Sequence, residues 1–318
     1  MKRTVLPLLF ALFCAAQAAA EQTRLVYALP ATVPAVIPYT ALEKGFFKDE
    51  GLDVEAKMFS SGREALQALL AGHAQIQSVS ETPVVHAILQ GNKIAVIATA
   101  ARHIEAKLIA RTDRGILKPA DLRGKKIATL PGTNSDYFMY VFLKKNGIAL
   151  EDVKIANMPP PEMVTAYAKG DIDGYFAWEP HITYGRRQLP EVSKVFYPGD
   201  LYHGWTTVNM DPEFIRQNPQ TVRKVVRALL RAEEFVRKNK SEAVRITAAR
   251  LKIDEKVLRD LWKENVFQVE LNEGLLKSMT EIGTWAREKN SIAGPLPDFK
   301  DYLYDAALAA EKPSRLRR

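Results

Sequence analysis

Cysteine is almost missing from this chain: the single Cys14 lies near the N-terminus, in an apolar stretch that we expect to be removed. After removal the protein would contain no disulfide, no thiolate nucleophile and no cysteine-ligated metal. Lipidation of Cys14 would require a small residue before it, and Phe13 is bulky. Export without disulfides favours a bacterial periplasm over a eukaryotic secretory route.

The N-terminal stretch has the three parts of a secretory signal peptide. Lys2 and Arg3 precede an apolar run over residues 5–16, which is too short to cross a bilayer comfortably. Ala18 and Ala20 then provide the small residues of a cleavage site. We therefore expect residues 1–20 to be a signal peptide, with cleavage after Ala20 and a mature protein in the periplasm.

Several functional signatures are also missing. No later apolar run is long enough to span a membrane, and the five histidines show no H-E-x-x-H spacing. The sequence has no G-x-S-x-G, no G-x-G-x-x-G and no phosphate loop. It therefore offers no catalytic residue, no metal ligand set and no cofactor site, and we expect a protein that is not an enzyme.

The charge of the chain is positive but dispersed. The formal net charge of +8 falls by two when Lys2 and Arg3 leave, and basic residues alternate with acidic ones along most of the chain. A nucleic-acid binder would concentrate its basic residues on one face, so we expect no nucleic-acid partner. An excess of positive charge still attracts anionic ligands over long range.

The most informative pattern is an internal echo. Residues 43–83 and residues 143–180 run through the same order of helix end, glycine, β-branched strand, helix, glycine, strand and proline. Such a repeat predicts two similar α/β lobes with mainly parallel sheets, and a ligand cleft between them. Beyond Asp211 the pattern is nearly all helical, and we expect this tail to pack on the first lobe.

Polar loops follow the strands of both copies. In an open parallel sheet the ligand lies outside the carboxyl ends of the strands, where helix N-termini offer unpaired N–H groups and partial positive charge. Each loop also has a purely structural interpretation, as a helix cap, a first-turn carboxylate or, for Trp178, a core residue. The loops are Ser60-Ser61-Gly62, Ser80-Glu81-Thr82, the turn at Thr133 and Trp178-Glu179-Pro180.

Three motifs in order resemble a known family. Residues 41–54, ALEKGFFKDEGLDV, are similar to the opening of the ABC-transporter substrate-binding proteins for nitrate, sulfonates, taurine and thiamine-pyrimidine precursors. Residues 121–128, DLRGKKIA, resemble the start of that family's second lobe. Residues 170–174, GDIDG, with the Trp178-Glu179-Pro180 turn, resemble a third motif, although Gly174 stands where alanine is commoner.

The resemblance implies an α/β, two-lobed type II periplasmic-binding-protein fold, with the helical C-terminal tail on the first lobe. Lobe 1 would comprise residues 21–111 and 199–318, and lobe 2 would comprise residues 112–198. By position in the family, and from the polar loops above, the expected ligand-binding residues are Thr32, Tyr39, Ser60, Ser61, Gly62, Ser80, Glu81, Thr82, Arg102, Thr133, Tyr137, Trp178 and Glu179.

The resemblance further implies a monomeric receptor, without a cofactor, that delivers a small molecule to an ABC permease and its ATPase in the inner membrane. An aliphatic sulfonate or taurine is the favoured ligand, because hydroxyl-rich helix starts and nearby arginines suit an oxyanion. Glu81 and Glu179 would suit an amine if they face the cleft, as in taurine or an aminopyrimidine stacked on Trp178 or Tyr137. Nitrate, an aromatic carboxylate, a sensor domain and a pyrimidine-synthesising enzyme remain alternatives.

Overall fold

The computed structural model describes residues 22–104, 106–290 and 292–317. The expected signal peptide, its cleavage point after Ala20 and Cys14 lie outside these residues. Within them, no helix is both long and apolar enough to cross a membrane.

The chain alternates strands and helices up to residue 210 and is mostly helical afterwards. The strands are β1 (Thr23–Pro30), β2 (Leu52–Phe59), β3 (Ile76–Ser80), β4 (Ala95–His103), β5 (Lys107–Arg111), β6 (Lys126–Thr129), β7 (Lys154–Asn157), β8 (Gly174–Ala177), β9 (Ser193–Phe196), β10 (Gly204–Met210), β11 (Asn265–Phe267), β12 (Leu271–Asn272) and β13 (Leu316–Arg317). The helices are α1 (Val36–Glu43), α2 (Phe46–Asp49), α3 (Gly62–Leu70), α4 (Glu81–Leu89), α5 (Asn134–Lys145), α6 (Pro160–Lys169), α7 (His181–Gln188), α8 (Pro212–Gln217), α9 (Pro219–Lys238), α10 (Lys240–Leu251), α11 (Glu255–Leu261), α12 (Glu273–Lys289) and α13 (Ala306–Glu311).

Two sheets form the two lobes, and they share one topology. The first has the order β11-β4-β10-β3-β1-β2, and the second has the order β7-β6-β8-β5-β9. In each, a middle strand pairs in parallel with the next strand along the chain on one side and with the third strand on the other. The internal echo corresponds to this shared pattern, with β2-α3-β3 matching β7-α6-β8.

Each sheet also contains antiparallel strands, which the expectation of mainly parallel sheets did not include. The chain crosses between the lobes twice, from β4 to β5 and from β9 to β10. The strand that follows each crossing runs antiparallel to both of its neighbours: β5 to β8 and β9, and β10 to β3 and β4. The crossings therefore join the two sheets through a pair of connections that lie side by side in the strand order.

The hydrogen bonding of β5 also locates the first crossing. The expected lobe boundary between residues 111 and 112 falls after this strand, whereas β5 pairs with β8 and β9 of the second sheet. Lobe 2 therefore already includes Lys107–Arg111. The other expected boundary, at residue 199, lies between β9 and β10.

The helical tail packs on the first lobe, as expected. Helix α9 places an apolar stripe against α1, and the spacing of its buried residues at three and four positions matches the helical repeat. Burial of each valine or leucine of such a stripe stabilises the lobe by about 1.5–3 kcal/mol. Helix α12 lies against α4, and its C-terminal end, at Lys289, lies at the mouth of the cleft.

Candidate functional site

A small cavity of about 30 Å³ lies between the lobes, where the carboxyl ends of strands from both sheets meet. Both lobes contribute walls, because β1, β3 and α3 belong to the first lobe, whereas α5 and the segment after β8 belong to the second lobe. The lining residues are Pro30, Thr32, Gly62, Arg63, Val79, Ser80, Pro83, Thr133, Asn134 and Trp178. We call this space the inner cavity.

The starts of three helices surround the inner cavity. Helix α3 begins at Gly62, α4 follows Ser80, and α5 follows Thr133, each directly after a strand or its turn. The first N–H groups of a helix have no intrahelical acceptor, and the helix dipole adds partial positive charge there. Arg63 adds a full charge, and no carboxylate occurs among the described lining residues. The inner cavity is therefore suited to an anion.

Five of the expected binding residues line this cavity: Thr32, Gly62, Ser80, Thr133 and Trp178. Trp178 is only 5% exposed, so its ring is largely buried and one part of it faces the cavity. Gly62 allows a close approach, because a Cβ at this position would lie 2.2 Å from Cγ2 of Val79. The start of α3 can therefore pack this closely against β3 only because residue 62 has no side chain.

Three other expected residues support the cavity wall from behind. The Tyr39 hydroxyl donates to the Pro30 carbonyl at 2.5 Å and accepts from the Thr32 N–H at 3.4 Å, which fixes the loop after β1. The Ser61 hydroxyl accepts from the Glu64 N–H at 3.2 Å and caps α3. Ser60 is exposed and donates to the Glu64 carboxylate at 2.8 Å, so the capping interpretation applies to Ser61 and not to Ser60.

Glu81 is fully buried in lobe 1 and does not line the inner cavity. Its carboxylate accepts from the Trp205 N–H at 2.9 Å, the Ser278 hydroxyl at 2.8 Å and the Tyr202 hydroxyl at 3.1 Å. Burial raises the pKa of Glu81 to about 7, although these three hydrogen bonds lower it. The neighbouring Thr82 hydroxyl lies 3.5 Å from that of Tyr202. Neither of these two expected ligand contacts lines the inner cavity: Glu81 ties α4 to β10 and α12, and Thr82 contacts Tyr202 in the segment before β10.

Glu179 is likewise turned away from the inner cavity. One carboxylate oxygen accepts from Lys107 Nζ at 2.8 Å, and the other accepts from the Thr183 N–H at 3.1 Å and its hydroxyl at 2.8 Å. Lys107 also donates to Glu264 at 2.6 Å. Only the Glu179 backbone reaches the cleft, where its carbonyl accepts from the Thr32 hydroxyl at 3.5 Å. The Glu179 side chain therefore belongs to a buried ion triad that joins lobe 2 to the tail.

The last two expected residues also lie elsewhere. Arg102 is exposed near the end of β4, a strand that lies between β10 and β11, and it does not line the inner cavity. Tyr137 joins an aromatic cluster, with ring centroids 5.2 Å from both Tyr202 and Trp285. This cluster connects α5 of lobe 2 to the second crossing and to α12 of the tail.

The binding residues expected from the sequence did not include all the residues that line the inner cavity. Arg63 follows the Ser-Ser-Gly turn directly, and Asn134 follows Thr133, so extending each polar loop by one residue would have found both. Pro30, Val79 and Pro83 are apolar and gave no signal of their own. Within the described part of the chain there is no group of three or more histidines, cysteines or acids that could hold a metal ion.

Two sheets of shared topology, joined by two crossings and enclosing a cleft lined by helix starts, form the two-lobed fold that solved periplasmic binding proteins have. The family model described as "NMT1/THI5 like" matches residues 35–243, which is more than half of the chain. The chain belongs to this family.

Individual relatives agree with this assignment. The taurine-binding periplasmic protein of Escherichia coli is 29% identical over 229 residues, which cover 70% of this chain and 68% of the relative. The alkanesulfonate-binding protein SsuA from Xanthomonas axonopodis, solved with MOPS bound, superposes with a TM-score of 0.77 at 16% identity, covering 91% of this chain and 100% of that structure. The desulfurization enzyme DszB has the same fold, with a TM-score of 0.66 at 14% identity over 92% of this chain and 99% of that structure.

Proposed function

We propose that this protein is the periplasmic receptor of an ABC importer, and that it binds a small organic anion, an aliphatic sulfonate, between its lobes. The observation that carries the proposal is the convergence of three helix starts and Arg63 on one inner cavity. A sulfonate presents three oxygens to such donors and needs no counter-charge other than theirs. The relatives named for taurine and alkanesulfonates support the same ligand class.

The positions of the acidic residues favour a sulfonate without an amine over taurine. An ammonium group in the inner cavity would need a carboxylate partner, and none is among the described residues that line it. The Glu81 and Glu179 carboxylates already accept hydrogen bonds from protein groups on both oxygens.

Binding is coupled to movement of the lobes in this proposal. A cavity of about 30 Å³ holds water-sized groups only, so an organic sulfonate requires the lobes to separate and close again around it. The two crossings supply the hinge. The mature protein would act as a monomer and pass its ligand to a membrane permease that is driven by an ATPase, after export by the signal peptide over residues 1–20.

The test is calorimetric titration of the mature protein with ethanesulfonate, taurine, nitrate, benzoate and an aminopyrimidine, together with thermal shift. At a ligand concentration of about 100 times Kd, the free energy of unfolding should rise by about 2.7 kcal/mol. Arg63→Gln should weaken ethanesulfonate binding about tenfold or more, since a charged hydrogen bond contributes about 1.5–3 kcal/mol. The matched control is Arg245→Gln, because Arg245 lies on α10, away from the inner cavity.

Two results would reject parts of the proposal. Binding of an aminopyrimidine without binding of any sulfonate would replace the ligand class. Chemical turnover of a bound compound would favour the enzyme alternative, for which the shared fold of DszB is the reason to look.

A further inference from the structure

A second, larger space of about 220 Å³ adjoins the inner cavity on the solvent side. The two share Arg63 and Pro83 in their walls, so they lie next to each other. The lining of the larger space includes exposed residues such as Gln67 and Gln90, whereas most of the inner lining is buried. We call the larger space the outer chamber.

The protein encloses the outer chamber on three sides. Helices α3 and α4 of lobe 1 form one side, and the Pro131-Gly132 turn of lobe 2 faces them. That turn comes close, because a Cβ on Gly132 would lie 3.8 Å from the His86 ring, and Arg63 Nη1 donates to the Pro131 carbonyl at 3.0 Å. The end of α12 closes a third side with Lys289. A group in the outer chamber would thus touch both lobes.

The chemistry of this chamber differs from that of the inner cavity. The carboxamides of Gln67 and Gln90 line it, and neither makes a hydrogen bond that the structure records. The buried Nε2 of His86 has no hydrogen-bond partner among the described residues. Burial lowers the pKa of His86, despite the opposing effect of Asp136, so its ring is neutral near pH 7. These groups are neutral donors and acceptors.

Two of the three charged side chains that line the outer chamber, Asp136 and Lys289, are paired with each other, and the third, Arg63, is shared with the inner cavity. Lys289 Nζ lies 2.8 Å and 2.7 Å from the two carboxylate oxygens of Asp136. One of those oxygens also accepts from the Gly132 N–H at 2.9 Å. A charged ligand group would have to break this pair, whereas an apolar group would cover the exposed carboxamides of Gln67 and Gln90 without offering them a hydrogen bond, which is costly.

We propose that the ligand is an extended organic anion whose far end carries an uncharged hydrogen-bonding group, an amide or a hydroxyl, held in the outer chamber. This inference rests on the proposed function, because it takes the anionic end of the ligand to lie in the inner cavity. It adds that a sulfonate with a polar, neutral tail is preferred to a short or purely alkyl one.

The test compares sulfonates that share a head group and differ in the tail. Calorimetry on the mature protein would use ethanesulfonate, butanesulfonate, N-acetyltaurine and ethane-1,2-disulfonate. We expect N-acetyltaurine to bind at least tenfold more tightly than butanesulfonate, which has a tail of comparable length without the amide. Gln90→Leu and, separately, Gln67→Leu should bring this ratio towards one.

The control is Gln220→Leu, because Gln220 is exposed in the first turn of α9, far from the outer chamber; it should leave the ratio unchanged. Equal binding of the two tails, tighter binding of butanesulfonate, or tighter binding of the disulfonate would overturn the inference while leaving the sulfonate receptor in place. If no sulfonate binds, the proposed function fails and the inference falls with it.

Discussion

At the scale of single residues, Glu81 was expected to contact the ligand, but its buried carboxylate bonds to other parts of the protein. It starts α4 at the edge of the inner cavity, yet its side chain turns inward to Tyr202, Ser278 and the Trp205 N–H. With no cationic partner among the residues that the structure describes, burial raises the pKa of Glu81 to about 7, so its protonation state changes within the ordinary working range of pH.

The raised pKa of Glu81 predicts that this residue makes its own contribution to the pH dependence of stability. Because the folded chain holds the proton more tightly than the unfolded chain, its stabilising effect is complete below the ordinary pKa of 4.5 and is lost as the pH rises through about 7. Between about pH 5 and pH 8, the unfolding free energy of the wild type should therefore fall relative to Glu81→Gln, by about 3 kcal/mol at most. Urea titrations at several pH values measure the difference.

Buried histidines act in the opposite direction. Burial lowers the pKa of His103 to about 3 and that of His181 to about 4, so their stabilising effect is lost as the pH falls below about 6.5. Both histidines are present in the wild type and in the variant, so their effect cancels from the comparison. A wild type and a Glu81→Gln variant with parallel pH profiles would contradict the prediction.

Glu81 and Glu179 also show where sequence reasoning about the site stops. Their matching positions in the two copies were predictable, and so were the helix starts on which they lie. The direction of each side chain was not, because it depends on partners distant in the chain: Tyr202 and Ser278 for one, and Lys107 and Glu264 for the other. Gly62, Ser80 and Thr133 line the cavity regardless, since the backbone geometry of a helix start places them there.

At the scale of elements, the triad of Lys107, Glu179 and Glu264 joins β5 and the turn before α7 to the short 3-10 helix Trp262–Glu264. Burial would lower the pKa of Lys107, but the two carboxylates outweigh it and raise that pKa. Burial raises the pKa of Glu264, with the nearby Glu179 adding to the effect. Two acids thus share one ammonium group, so the stability of the triad depends most on the lysine.

We expect Lys107→Met to lower the free energy of unfolding by about 3–5 kcal/mol, because two buried carboxylates would face each other without a cation. Equilibrium denaturation measures the loss. Lys238→Met is the matched control, since it breaks an exposed pair with Glu234 and should leave the denaturation midpoint nearly unchanged. Equal stability of the Lys107 variant and the wild type would show that the triad adds nothing to the fold.

Strand direction was the part of the fold that the sequence left open. The alternation of short strands and helices predicted both sheets, and the echo predicted their likeness. The apolar residues of β5 and β10, however, do not indicate whether a strand is parallel or antiparallel to its neighbours. Each of these strands is antiparallel because it follows a crossing between the lobes. For the same reason the first lobe boundary was expected a few residues too late.

At the scale of the whole molecule, contacts across the cleft hold the lobes together. The Asp136–Lys289 pair links α5 to α12, and the rings of Tyr137 and Trp285 pack beside it. Arg63 adds a hydrogen bond from α3 to the Pro131 carbonyl. The C-terminal tail therefore contributes contacts that hold the two lobes together.

We expect Lys289→Ala to shift the protein towards an open form, because buried Asp136 would lose its cation and the lobes would lose a contact. Small-angle scattering should show a larger radius of gyration, and the ligand Kd should rise about three- to tenfold as the closed population falls. Lys277→Ala is the control on the same helix, where Lys277 lies 4.0 Å from Glu281 on the exposed face. Identical scattering and affinity in the two variants would exclude this role for the pair.

The double crossing also sets the order in which the two lobes can fold when the chain becomes available from the N-terminus onwards. The second sheet is complete once the continuous stretch from Lys107 to Phe196 is available. The first sheet must wait for β10, which lies between β3 and β4, so the apolar strand β4 has no neighbour until more than a hundred further residues have appeared. An unpaired apolar strand invites aggregation. The first lobe, which is completed later, is therefore the part of a growing chain that is most exposed to aggregation.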